Sequence, residues 1–235
     1  PHLFFDEESK ERAIRVWEEF ANRYKDRWIV GGYDLLNEPL NNPGSLVYTD
    51  QLISFYDELI ARIRKIDKNH LLIVEGTIWS TQASIFTHNY DPYCDNWCIQ
   101  VHIYGFVPEM AELYGMLERS IELNVPIWMG EGGAGPEENS IFLDTIAQEN
   151  VGFCLWVWKS AARNGAPEDG MNTEQYDLPK DWEMVRKYAD EGGPRPSYEH
   201  AQKIFDEYLE NLKFEHCRHG SLLHKYNLRQ PGISL

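Results

Sequence analysis

The sequence predicts an α/β chain in which five parallel strands alternate with helices, a (β/α)8 TIM barrel lacking about its first three strands. Two observations carry this reading. Short apolar runs alternate with amphipathic stripes along most of the 235 residues, and strands this apolar belong to a parallel sheet covered by helices. The β/α units recur every roughly 25 to 45 residues, which suits a barrel that takes about 250 residues when complete.

Taken in order, Asp6 is placed to cap a helix, with Glu7 and Glu8 where the helix dipole favours acids. Ile14, Trp17, Phe20, Ala21 and Tyr24 follow at helical spacing. A strand is expected at 28–36, stopped by Pro39, which has no N–H to give a ladder. Leu52, Phe55, Leu59, Ile63 and Ile66 form the next helical stripe. Further strands are expected at 71–75, 98–104, 126–130 and 151–158. Helical stripes run through Met110, Leu113, Leu117 and Ile121, then through Ile141, Leu143 and Ile146. After a loop rich in Gly, Pro and Asp, helices are expected at 181–190 and 197–212.

A composition of 43% hydrophobic and 26% charged residues fits one globular domain with a sizeable core. The net charge of −16 argues against nucleic acid or an anionic membrane as partner and fits a neutral substrate. No apolar run is long enough to span a membrane. Cys94, Cys98, Cys154 and Cys217 make no disulfide framework for a domain of this size. Cys94 and Cys98 lack the second close pair of a zinc site, and Cys154, inside an apolar run, reads as a buried thiol. From 213 the chain turns basic and aperiodic, through His216, Cys217, Arg218, His219 and His224. It reads as a tail or linker rather than a metal site. The first residue is Pro rather than Met. The chain therefore reads as processed, truncated or a fragment, and its location stays open between extracellular and cytoplasmic.

The chemistry gathers at the carboxyl ends of the expected strands, the rim where parallel α/β proteins bind ligands. The first strand ends in Asn37 and Glu38, and the third in His102 and Tyr104, alternate residues that project to one side. The fourth ends in Glu131 and the fifth in Trp156 and Trp158. Two carboxyl groups flanked by Tyr, His and Trp suit hydrolysis of a glycosidic bond, where one protonates the leaving oxygen and the other attacks carbon or activates water. A separation of about 5 Å implies retention of configuration, and roughly 6.5–9.5 Å implies inversion.

The segments Leu-Leu-Asn-Glu-Pro, His-x-Tyr, Trp-Met-Gly-Glu-Gly-Gly and Leu-Trp-Val-Trp-Lys resemble glycoside hydrolase family 5, the cellulase-like retaining enzymes. The resemblance covers residues 1–212, as a partial (β/α)8 catalytic domain, and leaves 213–235 as the tail. It implies Glu38 as acid/base, Glu131 as nucleophile and Asn37 as the amide that binds the sugar 2-hydroxyl. Tyr104 would orient the nucleophile and His102 would contact substrate. Trp156 would floor the cleavage point, with Trp158 beside it. It implies a β-linked oligo- or polysaccharide substrate and no cofactor or metal. The default is β-1,4-glucan, with mannan, xyloglucan or a glycolipid as alternatives, and Trp79, Tyr90 and Trp97 are candidate subsite aromatics.

The family also places an Arg on an early strand and a His on the next, and His2 and His88 stand in the wrong contexts for them. The simplest reading is the C-terminal portion of a longer enzyme, completed by its N-terminal segment, with a genuinely reduced fold or completion by another chain as the alternatives, and weak or absent activity is expected of the chain by itself. Two other readings stay open: a metal-dependent barrel enzyme using Glu38, Glu75 and Glu131, and a carbohydrate-binding remnant that does not cleave.

Overall fold

The structure is a computed structural model and describes residues 2–90, 96–105, 108–133, 139–161 and 174–219. The chain divides into two compact units, one of residues 1–132 with 143–154, the other of residues 133–142 with 155–235. In the first unit the strands β1 (Gly32–Asp34), β2 (Leu71–Glu75), β3 (Trp97–Tyr104), β4 (Ile127–Gly133) and β5 (Gly152–Phe153) lie side by side in that order. The pairs β1–β2, β2–β3 and β4–β5 are parallel, in registers that set Gly32 opposite Leu71, Leu72 opposite Trp97 and Trp128 opposite Gly152.

Helix α1 (Glu7–Tyr24) starts at Asp6, whose carboxylate accepts the Ser9 N–H at 3.0 Å. It buries Ile14 and Ala21, and the Trp17 indole N–H donates to the Leu35 carbonyl at 3.2 Å. On its other flank Arg62 of α2 (Thr49–Arg64) clasps Glu18 at 2.6 Å and Glu11 at 3.2 Å. Such part-exposed pairs fix helix register more than they add stability. Helix α2 buries Leu52, Phe55, Tyr56, Leu59, Ile60 and Ile63. The Tyr56 hydroxyl donates to the Glu75 carbonyl at 2.9 Å, tying the helix to the carboxyl end of β2. The core seals against Leu72, Val74, Ile99, Val101 and Ile103, all fully buried. Cys98, Gln100, His102 and Tyr104 are the alternate residues of β3 and occupy the opposite face. Helices α4 (Pro108–Leu123) and α5 (Asn139–Gln148) follow β3 and β4.

Both edge strands are shorter than the sequence suggests. The strand expected at 28–36 pairs only over Gly32–Asp34, with Trp28 90% exposed, because β1 has a neighbour on one side alone. The strand expected at 151–158 contributes Gly152–Phe153 to this sheet for the same reason. Cys154 follows that edge strand and is exposed, not the buried thiol its apolar surroundings suggest.

In the second unit β6 (Lys159–Ala161) pairs in parallel with β7 (Glu174–Tyr176), which pairs antiparallel with β8 (Arg218–His219). Helix α6 (Trp182–Glu191) ends at Gly192 with φ 66°, and α7 (Tyr198–Asn211) is capped by Ser197. Trp182 stacks on Tyr208 at 5.0 Å. Residues 214–216 form a 3-10 turn before β8, while Cys94, His224 and the rest of the chain end lie outside the described residues. No helix among the described residues is long and apolar enough to cross a membrane.

Candidate active site

The carboxyl ends of β1 to β4 converge on one cluster. Past β1 the ladder continues through Leu35 N–H to the Ile73 carbonyl at 3.1 Å and then breaks at Asn37-Glu38-Pro39. Glu38 takes φ 44°, a left-handed backbone that costs a residue with a side chain roughly 1–2 kcal/mol. Its N–H donates to Glu75 Oε2 at 2.6 Å, a charge-assisted bond that offsets this strain. Its side chain reaches His102, with Oε1 2.9 Å from Nδ1.

His102 is 1% exposed and sits among carboxylates. Nδ1 is 3.7 Å from Glu131 Oε2, and Nε2 is 3.5 Å from Glu75 Oε1 and 3.1 Å from the Gln100 side-chain nitrogen. Burial disfavours a charged imidazole, but hydrogen bonds to Glu75 and Glu38 and the charges of Glu75 and Glu131 outweigh it, and its pKa rises to about 9. The Tyr104 hydroxyl donates to Glu131 Oε2 at 2.8 Å. Burial and that carboxylate push the phenol well above its ordinary pKa, so it stays a donor. One ligand-type atom each from Glu38, His102 and Glu131 lies within 4.8 Å of the others.

A second tier lies beneath. Glu75 is fully buried, and its oxygens accept from the Glu38 N–H, the Ser80 hydroxyl and the Gln100 amide at 2.5 Å. Gly130 leaves room for Gln100, because a Cβ there would sit 2.0 Å from the Gln100 amide carbon. The single-turn α3 (Thr77–Ser80) turns Ser80 back to Glu75, with φ of 52°, 51° and 59° at Ile78, Trp79 and Ser80. Asp34 stands exposed at the sheet edge but with protein on its inner side. Crowding there and the charge of Glu75 push its carboxyl up to about 7.

The structure thus brings together Glu38, His102, Tyr104 and Glu131, with Asn37 exposed on the same turn. Trp156, exposed, and Trp158 belong to the second unit. Of the subsite aromatics, Trp79 is 47% exposed, whereas Tyr90 and Trp97 are buried edge-to-face at 4.8 Å. Those two are packing residues. Glu75 does not serve as the third carboxylate of a metal site, since its oxygens are taken by protein donors. The sequence signal for Glu75 was a lone acid closing an apolar strand, the same signature as Glu38. Gln100, polar within a strand buried up to its last residue and two residues before His102, carried a similar signal.

A family model described as Cellulase (glycosyl hydrolase family 5) matches residues 4–162. A β-xylosidase of Phanerodontia chrysosporium is 27% identical, over 88% of this chain and 50% of its own length. A mannan endo-1,4-β-mannosidase of Streptomyces lividans is 29% identical, over 59% and 37%. The chain spans about half, or less, of the length of these curated relatives. Among solved structures, the endoglucanase Cel5A of the hyperthermophile Thermotoga maritima superposes with a TM-score of 0.57 at 22% identity, over 66% of this chain and 61% of the other. That likeness bears on the fold alone, and with the five-stranded sheet it identifies the β/α units of a (β/α)8 barrel.

Proposed function

The chain belongs to the cellulase family, glycosyl hydrolase family 5, and we propose that its cluster cleaves a β-linked oligo- or polysaccharide with retention at the anomeric carbon. The observation that carries this is the separation of Glu38 and Glu131. Their facing oxygens lie within 4.8 Å, which favours the separation of about 5–5.5 Å used by retaining enzymes over the wider gap that holds a water.

In the first step a Glu131 oxygen attacks the anomeric carbon while the bond to the leaving oxygen breaks, and Glu38 gives that oxygen its proton. In the second, Glu38 takes a proton from water, the hydroxide attacks the anomeric carbon, and Glu131 departs. Tyr104 aims the nucleophile, as its hydrogen bond to Oε2 supports. His102 bridges the two carboxylates and Asn37 receives the sugar 2-hydroxyl, a bond that strengthens as positive charge develops on the ring. The family resemblance implies Trp156 as the aromatic floor and Trp158 as its neighbour. A neutral sugar suits a chain of net charge −16. The substrate default is β-1,4-glucan, with mannan, xyloglucan or a glycolipid behind it.

The reading predicts the product's first-formed anomer. Followed by proton NMR before mutarotation, hydrolysis of a β-glycoside should yield the β-anomer first, and an α-anomer first would contradict retention.

A further inference from the structure

We propose that Glu75 is a positioning residue for the acid/base, a buried carboxylate that holds Glu38 by its backbone N–H and His102 by its ring. This deepens the glycosidase reading and rests on it.

The geometry singles out Glu75 from the other acids of the rim. It is the only fully buried carboxylate among the described residues of the cluster, and it meets three elements at once. From the turn after β1 comes the Glu38 N–H at 2.6 Å, from the α3 turn the Ser80 hydroxyl, and from β3 the Gln100 amide at 2.5 Å, with His102 Nε2 at 3.5 Å. A buried carboxylate is costly unless paired and hydrogen-bonded, and packing alone would be served as well by an apolar residue. What an apolar residue could not do is accept the N–H of a left-handed Glu38 and face a charged imidazole.

Its action on Glu38 therefore has two routes. The direct one fixes the backbone from which the Glu38 carboxyl projects, and an acid displaced by about 1 Å loses on the order of 100-fold in rate. The indirect one runs through His102, whose Nδ1 is 2.9 Å from Glu38 and whose far edge faces Glu75. The groups facing His102 are Asp34 on β1, Glu38 beyond it, Glu75 from β2, Gln100 from its own strand, and Glu131 from β4. His102 has a raised pKa, so its charge is present below about 9 and lost above it. Removing the Glu75 charge brings that loss to lower pH.

The test compares Glu75→Gln, which is isosteric, with Glu75→Asp, which keeps the charge but withdraws it from the Glu38 N–H. For Glu75→Gln, imidazole NMR should show the His102 midpoint falling by about one pH unit or more. Its kcat should fall about 10- to 100-fold with KM within about threefold. Glu75→Asp should lower kcat while the His102 midpoint stays near the unsubstituted value, and this second variant decides the matter if the first does not fold. A folded Glu75→Gln with an unchanged His102 midpoint, or a Glu75→Asp with unchanged kcat, overturns the proposal. The glycosidase reading fails separately, if Glu38→Gln and Glu131→Gln leave hydrolysis intact, and the His102 titration still reports on Glu75.

Discussion

In a chain that carries a complete barrel, Glu131→Gln is expected to lower kcat for β-glycoside hydrolysis by on the order of 10⁴-fold, with KM little changed. The amide keeps the shape of the carboxyl and can still accept from the Tyr104 hydroxyl 2.8 Å away, so the fold and substrate cleft should persist. What is lost is the negative oxygen proposed to form the bond to the anomeric carbon. Steady-state kinetics on a fluorogenic β-glycoside, with a thermal melt as control for folding, measures this. A variant that keeps more than a tenth of the rate would remove Glu131 from the chemistry.

Glu38→Ala should produce a different signature. General acid catalysis contributes about 10²–10⁴-fold, and the loss should be greatest for substrates whose leaving group needs a proton. An aryl glycoside with an acidic phenol needs none, so its first step should survive, and the glycosyl-enzyme should accumulate because no base activates water. Azide, which needs no base, should then restore turnover and yield a β-glycosyl azide. Equal losses for good and poor leaving groups, with no effect of azide, would assign the acid elsewhere.

The parts of this molecule legible in its sequence share a physical trait. Strands β2 and β3 have a neighbour on each side and helices against them, so burial wrote largely apolar runs into 71–75 and 97–104, broken only where Glu75, Gln100 and His102 belong to the cluster. At the edges this fails. Trp28 and Ile29 read as strand residues yet stand exposed, because the length of an edge strand follows from its single partner's register and not from its own side chains. The α3 turn was illegible for a related reason. Ile78 and Trp79 disfavour left-handed backbone, and they are held there by the Ile78 N–H bond to the Leu40 carbonyl and by Ser80 on Glu75.

The candidate site divides in the same way. Glu38, His102, Tyr104 and Glu131 stood out because each closes an expected strand, and a parallel sheet sends all such ends to one rim. Glu75 occupies an equivalent position, yet nothing local distinguishes a carboxylate that reaches solvent from one capped by a backbone N–H and an amide. Exposure misled the reading of Tyr90 and Trp97 in the opposite sense. Both look like sugar platforms in the sequence and are sealed into the core with Phe86, 6.2 Å from Trp97.

In the proposed mechanism Glu131 forms the bond to sugar, and covalent trapping of that bond is its sharpest test. A set of 2-deoxy-2-fluoro β-glycosyl fluorides, of gluco, manno and xylo configuration, slows the second step and leaves the intermediate in place. Intact-mass and peptide analysis should then find one sugar per chain on the peptide carrying Glu131, and none on Glu131→Gln. A label on Glu38, Glu75 or any other residue, or continued hydrolysis by a chain that takes up no label, would contradict the account.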